Sequence, residues 1–204
     1  MEQRLSARGS AARQRILQAA TAEMAETGDI EVAAVARRAG VSVGLPYRYF
    51  GTRSGLLSAV VSDFYDRLGE AVTNREFEGA TWHDRERLRV AAWVDHLYDD
   101  PLAPVVLSRL GGDAEAVVIE TQRLHQAIEL GARNIARGQR DGDLPLDRDP
   151  ELLVAAILGG VHMALAIALT RTPRPDRTRV AAEAWAFVAG AAGAGALDRP
   201  EPQT

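Results

Sequence analysis

Cysteine is absent from this 204-residue chain. That excludes a disulfide scaffold, an iron–sulfur cluster, a thiolate zinc site and a cysteine nucleophile. Lysine is absent as well, since all 24 basic residues are arginine. Schiff-base chemistry on a lysine and a Walker-type phosphate loop are therefore excluded, because both need a lysine side chain. Aromatic residues make up only 5%, so a core has to be assembled mainly from Ala, Leu and Val. No alternating run reads as a strand and no segment repeats. The opening MEQRLSARGS holds no apolar stretch, so no secretory leader is expected and the expected location is cytoplasmic.

What is present is the balance of a soluble globular protein: 47% apolar and 25% charged residues, with a net charge of −4. A chain that coats nucleic acid without sequence preference would be basic throughout, which this one is not. The charge is uneven, however. Residues 1–53 hold Arg4, Arg8, Arg13, Arg15, Arg37, Arg38, Arg48 and Arg53 against Glu2, Glu23, Glu26, Asp29 and Glu31. This pattern reads as a small basic module on an acidic body.

The periodic signal is helical. Ile16, Ala20 and Met24 share a stripe that Gly28 terminates, and EVAAVARRAG stops at Gly40. Thr52 caps the helix that follows, and Thr81 with Asp84 forms a capping box for another. Pro101 and Pro104 mark a break. Asp113 caps a long helix reaching about Gly138, and Asp149-Pro150 launches an apolar helix. A last helix starts near Arg177, and the tail from 198 to 204 is expected to be disordered. The fold class expected is all-α, with about nine helices. A three-helix helix-turn-helix domain is expected over 1–55, with the motif itself at about 32–51. A helical ligand-binding and dimerisation domain is expected over 56–197.

The stretch from Val35 to Leu57, VARRAGVSVGLPYRYFGTRSGLL, carries the chemistry. Ala36, Ala39 and Val41 are compact enough to let two helices cross closely, and Gly40 supplies a sharp turn. Ser42 is expected to cap a recognition helix whose free N–H groups can meet a phosphate. With Ala36, Ala39, Gly40, Val41, Ser42, Gly44, Tyr47, Phe50, Leu56 and Leu57 in place, the stretch resembles the DNA-binding domain of TetR-type (tetracycline-repressor-like) regulators. The resemblance implies a dimer on a near-palindromic double-stranded DNA operator. It also implies a small-molecule effector, not identified by the sequence, that releases a repressor. Base contacts are expected from Val43, Leu45 and Arg48, since Val and Leu suit a thymine methyl and Arg suits guanine. Tyr47, Tyr49 and Arg53 are expected at phosphates, with Arg37, Arg38, Ser42 and Gly44 alongside. Three departures stand out. Pro46 replaces the usual Leu or Ile, the loop 28–31 is short, and Glu31 replaces a phosphate-binding Ser or Thr.

By the same resemblance, the body should enclose a pocket. The expected lining is Phe64, Leu68, Trp93, His96, Leu97, Leu107, Leu110, Leu124, His125, Ile128 and Met163. From Leu152 to Thr170 no charged residue occurs, which satisfies the length rule for a membrane span. The small surfaces of this segment point instead to close helix packing between subunits. The interface expected is Leu152, Ala155, Ala156, Gly159, Gly160 and Met163 with Val180, Ala184, Trp185 and Val188. No membrane partner, cofactor, metal or catalytic residue is expected. His96 with Asp99 or Asp100 has the spacing of a metal pair but reads as a solvated face. The rival readings are a ligand-independent regulator, an all-helical enzyme and a membrane-associated protein.

Overall fold

The structure is a computed structural model that describes residues 7–108 and 113–193. Among the described residues there is no strand. Nine α-helices follow in order: α1 (Ala7–Thr27), α2 (Val32–Ala39), α3 (Gly44–Phe50), α4 (Arg53–Leu68), α5 (Trp82–Asp99), α6 (Ala103–Ser108), α7 (Ala114–Arg140), α8 (Pro150–Thr170) and α9 (Arg177–Ala192). A π-helical turn, Gly69–Thr73, follows α4. Leu110 and the 198–204 tail lie outside the described residues.

The chain divides into two compact units. The first comprises the described residues of Met1–Asp66 and Arg109–Thr121, the second those of Arg67–Ser108 and Gln122–Thr204. The expected boundary at 55/56 falls inside α4, which runs unbroken through it.

In the first unit α1 packs against α2 and α3. Ile16, Ala20 and Met24 are fully buried beside Val35 and Ala36, so the stripe read from the sequence is the core-facing one. Gly40 ends α2 with φ +66°, and its N–H reaches the carbonyls of Ala36 and Arg37. A side chain there would be strained, which explains a glycine at the turn. Thr52 Oγ1 accepts from the N–H of Gly55 at 2.9 Å and so caps α4. Gly55 itself leaves no room, because a Cβ there would overlap the backbone carbonyl of Phe50. Gly55→Ala is therefore expected to lower the unfolding midpoint by several degrees, at a cost of about 1–3 kcal/mol. A thermal melt matching the wild type would contradict this.

In the second unit α5 packs on α9, α6 on α8, and α8 on α9. The Thr81–Asp84 capping box is complete, and Asp149 accepts from the N–H groups of Glu151 and Leu152. Glu86 ties α5 to α7 by accepting from Asn134 at 2.8 Å and from Arg89 at 3.1 Å. Two sequence-based expectations change here. Pro104 does not break a helix but occupies the second position of α6, where no intrahelical donor is lost. The long helix runs to Arg140, past Gly138, because Gly138 lacks positive φ and Gly142 has it instead.

Candidate nucleic-acid interface

The recognition helix starts one residue later than expected. Val43, not Ser42, precedes α3, and no side chain caps it. The Ser42 carbonyl accepts from the N–H of Leu45 at 3.0 Å, so the helix opens on a tight three-residue turn. This places Pro46 third in the helix, among the N–H positions that have no intrahelical partner anyway. Its ring is buried. The departure from the family pattern thus anchors α3 from behind without costing it a hydrogen bond.

The outward face of α3 is apolar and cationic. Val43 is 54% and Tyr47 48% exposed. Ser42, Gly44 and Arg48 are exposed beside them, while Leu45 and Tyr49 are half-buried. Arg13 of α1 lies over the Phe50 ring at 4.9 Å and steadies the inner side. Val43, Tyr47 and Arg53 also line an open groove of about 530 Å³, together with Glu23, Thr27, Asp29, Ile30, Glu31, Val32 and Ala33.

The four arginines expected at DNA differ sharply in their surroundings. Arg48 is exposed on α3, and Arg37 is exposed in the last turn of α2. Arg38 is clamped by both carboxylate oxygens of Glu26, at 2.8 and 2.5 Å, and reaches Glu23 at 3.5 Å. The Glu26 pair raises the Arg38 pKa and lowers that of Glu26. Arg53 donates Nε to the Ile30 carbonyl at 2.9 Å and Nη2 to Asp29. Arg38 therefore links α2 to α1, while Arg53 of α4 meets the loop between them in an exposed pair. Neither pairing is legible from spacing or composition. At the next residue, the Ser54 hydroxyl donates to Asp113, the cap of α7. That bond, first among several, holds the Asp113 carboxyl below its ordinary pKa.

The expected pocket residues are scattered. Phe64 is buried in the first unit, with its ring edge-on to Tyr65 at 5.2 Å. In the second unit Leu97 and Leu107 are buried, and Leu68, Trp93, His96 and Ile128 are half-buried. The Nε2 atom of His96 is buried with no hydrogen-bond partner among the described residues. Leu124, His125 and Met163 are exposed, which corrects the expectation that they line a cavity. On α8 Met163 sits opposite buried Val161, whereas Leu124 of α7 lies on the same side as buried Ile135, about three turns away, and is exposed all the same. Asp99 pairs with Arg177 and Asp100 with Arg67.

His162 of α8 is half-buried in the second unit. Burial lowers its pKa below the ordinary 6.5, opposed by a hydrogen bond to the Leu107 backbone. The unfolded chain therefore takes up this proton first. The stability contributed by neutral His162 is present above the ordinary value and lost as pH falls through the lowered one. Thermal unfolding followed from about pH 7.5 to about pH 5 should show a smaller decline for His162→Gln than for wild type. Parallel declines would contradict the assignment.

The residues expected at a subunit interface differ in exposure between α8 and α9. On α8, Leu152, Ala156, Gly159 and Met163 are exposed in one stripe, with Ala155 and Gly160 half-buried at its edge. On α9, Val180, Ala184 and Val188 are buried in the subunit's own core and cannot face a partner. Trp185 is half-buried, edge-on to the His83 ring at 4.6 Å between centroids. The outward small or apolar residues of α9 are Ala182, Ala186, Phe187 and Gly190, with the exposed Arg179–Glu183 pair on the same helix. Ile167, Met163 and Phe187, at 49%, 47% and 46% exposure, are large apolar residues in water. The tip of the Phe187 ring abuts Gly160, where a Cβ would come within 2.6 Å of it. Helix α8 is long and apolar enough to cross a membrane. Its other face, including Val154, Val161 and Leu165, is buried within the subunit.

Residues 16–60 match the family described as "Bacterial regulatory proteins, tetR family". The HTH-type transcriptional regulator BetI 1 of Chromohalobacter salexigens is 33% identical over 89 residues, 43% of each chain. The match thus spans less than half the length of that curated relative. Among solved structures, the fatty acid degradation regulator FadR of Bacillus halodurans superposes with a TM-score of 0.76. It is 18% identical, with 91% of this chain and 96% of that one covered. FadR of Bacillus subtilis, in complex with stearoyl-CoA, gives a TM-score of 0.71 at 19% identity, covering 86% and 96%. At these identities the structures speak to the fold alone.

Proposed function

We propose, from the premise that the chain belongs to the tetR family of bacterial regulatory proteins through residues 16–60, that it represses transcription as a dimer bound to a near-palindromic operator. One observation carries the reading. Helix α3 turns Val43, Tyr47 and Arg48 to solvent while Pro46 is buried behind them. Exposed apolar groups beside an exposed guanidinium are poor surface for a monomer. They are good material for base edges in a major groove. Residues 1–55 take the reading role, and 56–197 take effector binding and dimerisation.

Dimerisation is supported by the exposed apolar stripe of α8 and Phe187, which a second copy would cover across a two-fold axis. Two readers so joined reach half-sites about 34–36 Å apart, or a multiple of it. The reading is non-enzymatic and places the chain in the cytoplasm, with no membrane partner. Release by a small molecule is supported by the buried Nε2 of His96, which has no hydrogen-bond partner among the described residues and, close to Asp100, Arg67 and Asp99, offers an effector a polar contact. The FadR structure with stearoyl-CoA makes acyl-CoA compounds a reasonable first set to screen. An effector shifts operator affinity only by its differential binding to the two states, typically about 1–3 kcal/mol. Enrichment of genomic fragments on the purified protein tests the proposal. A shared inverted repeat is expected, and recovery of unrelated fragments would overturn it.

A further inference from the structure

The arginine that opens α4 is already bound to an anion supplied by its own chain. Arg53 keeps Nε on the Ile30 carbonyl at 2.9 Å, which fixes the guanidinium plane, and turns Nη2 to Asp29. Both partners of the ion pair are exposed, 44% for Arg53 and 60% for Asp29. They line the same groove as Val43 and Tyr47 of the reading helix. A guanidinium fork accepts carboxylate and phosphate oxygens in the same geometry, so one can replace the other without moving the side chain. An exposed pair is weak and exchangeable. We propose that Asp29 is a built-in competitor of the operator phosphate for Arg53, an autoinhibitory contact that lowers operator affinity.

Arg38 provides the internal contrast. It is held by two bonds from Glu26, with Glu23 behind it only 11% exposed. That clamp joins α1 to α2; at 37% for Arg38 and 60% for Glu26 it is about as exposed as the Arg53 pair, so the contrast lies in its second carboxylate, Glu23. Glu31 lines the same groove as Arg53 but makes no ion pair among the described residues. It therefore reports what removing a nearby negative charge does without unpairing an arginine.

The inference rests on the operator-binding reading. Its experiment is a double-mutant cycle on the selected operator, using full-length wild type, Asp29→Asn, Arg53→Ala and the double variant. Asp29→Asn should bind about 2- to 20-fold more tightly as a dimer and fall off more steeply with salt. That gain should vanish in the Arg53→Ala background, whereas the gain from Glu31→Gln should survive there. Asp29→Asn should melt with the wild type, since the pair is exposed. Weaker or unchanged binding by Asp29→Asn overturns the proposal, and so does a gain that persists without Arg53. In both cases operator reading is left intact. Wild type that selects no DNA sequence overturns both.

Discussion

Arg48→Ala should weaken operator binding by about 30-fold to 10⁴-fold while leaving the fold unchanged. Arg48 is exposed on α3 and makes no ion pair among the described residues, so its removal takes nothing from the folded state. A bidentate contact to guanine contributes about 1–3 kcal/mol of discrimination, and a dimer makes it twice. The loss should therefore be selective. Binding to the cognate operator falls, the preference at one base pair in each half-site relaxes, and weak binding to unrelated DNA changes little. Competition binding on single-base operator variants separates this from a phosphate contact, which would weaken all sequences alike. An Arg48→Ala protein with unaltered sequence preference would remove α3 as the reading element.

Charging the α8 stripe should have the other large effect. In the doubly substituted protein Met163→Glu, Ile167→Glu, four carboxylates would enter the two-fold interface. Each unpaired buried charge costs several kcal/mol. Sedimentation should show a folded monomer where wild type is a dimer. Operator affinity should fall by at least about 100-fold, because a monomer reads one half-site. Both side chains are exposed within the subunit, so helical content should be retained. Val188→Ala is the control: Val188 lies in the subunit's own core, so it should lower stability and leave the dimer in place. A dimer that survives both charges would move the interface elsewhere.

Much of the fold was legible because local chemistry sets helix ends. Thr81 with Asp84, Asp149 with Pro150, and Gly40 announce their roles within four residues of sequence. Helix α6 was not legible, since two prolines in four residues read as a break, and the first turn of a short helix looks identical. The phase of α9 was misread for a related reason. In a helix of Ala and Gly, the apolar repeat Val180, Ala184, Val188 fits an inner face and an outer face equally well. Only packing on α8 and α5 decides between them. The reading residues of α3 were legible as a motif, but the pairing of Arg53 with Asp29, 24 residues away, was not. Sequence patterns carry helix periodicity, not which of several nearby carboxylates an arginine finds.

On the proposed function this chain reads DNA as a dimer through two copies of α3. The most direct measurement is operator affinity as a function of salt for the sequence enriched on the wild-type protein. A dimer making about 6–10 phosphate contacts should lose roughly 10³–10⁵ in affinity between about 50 and 200 mM salt, with preference for the enriched sequence over a scrambled one throughout. A shallow slope with equal affinity for both sequences would contradict the account.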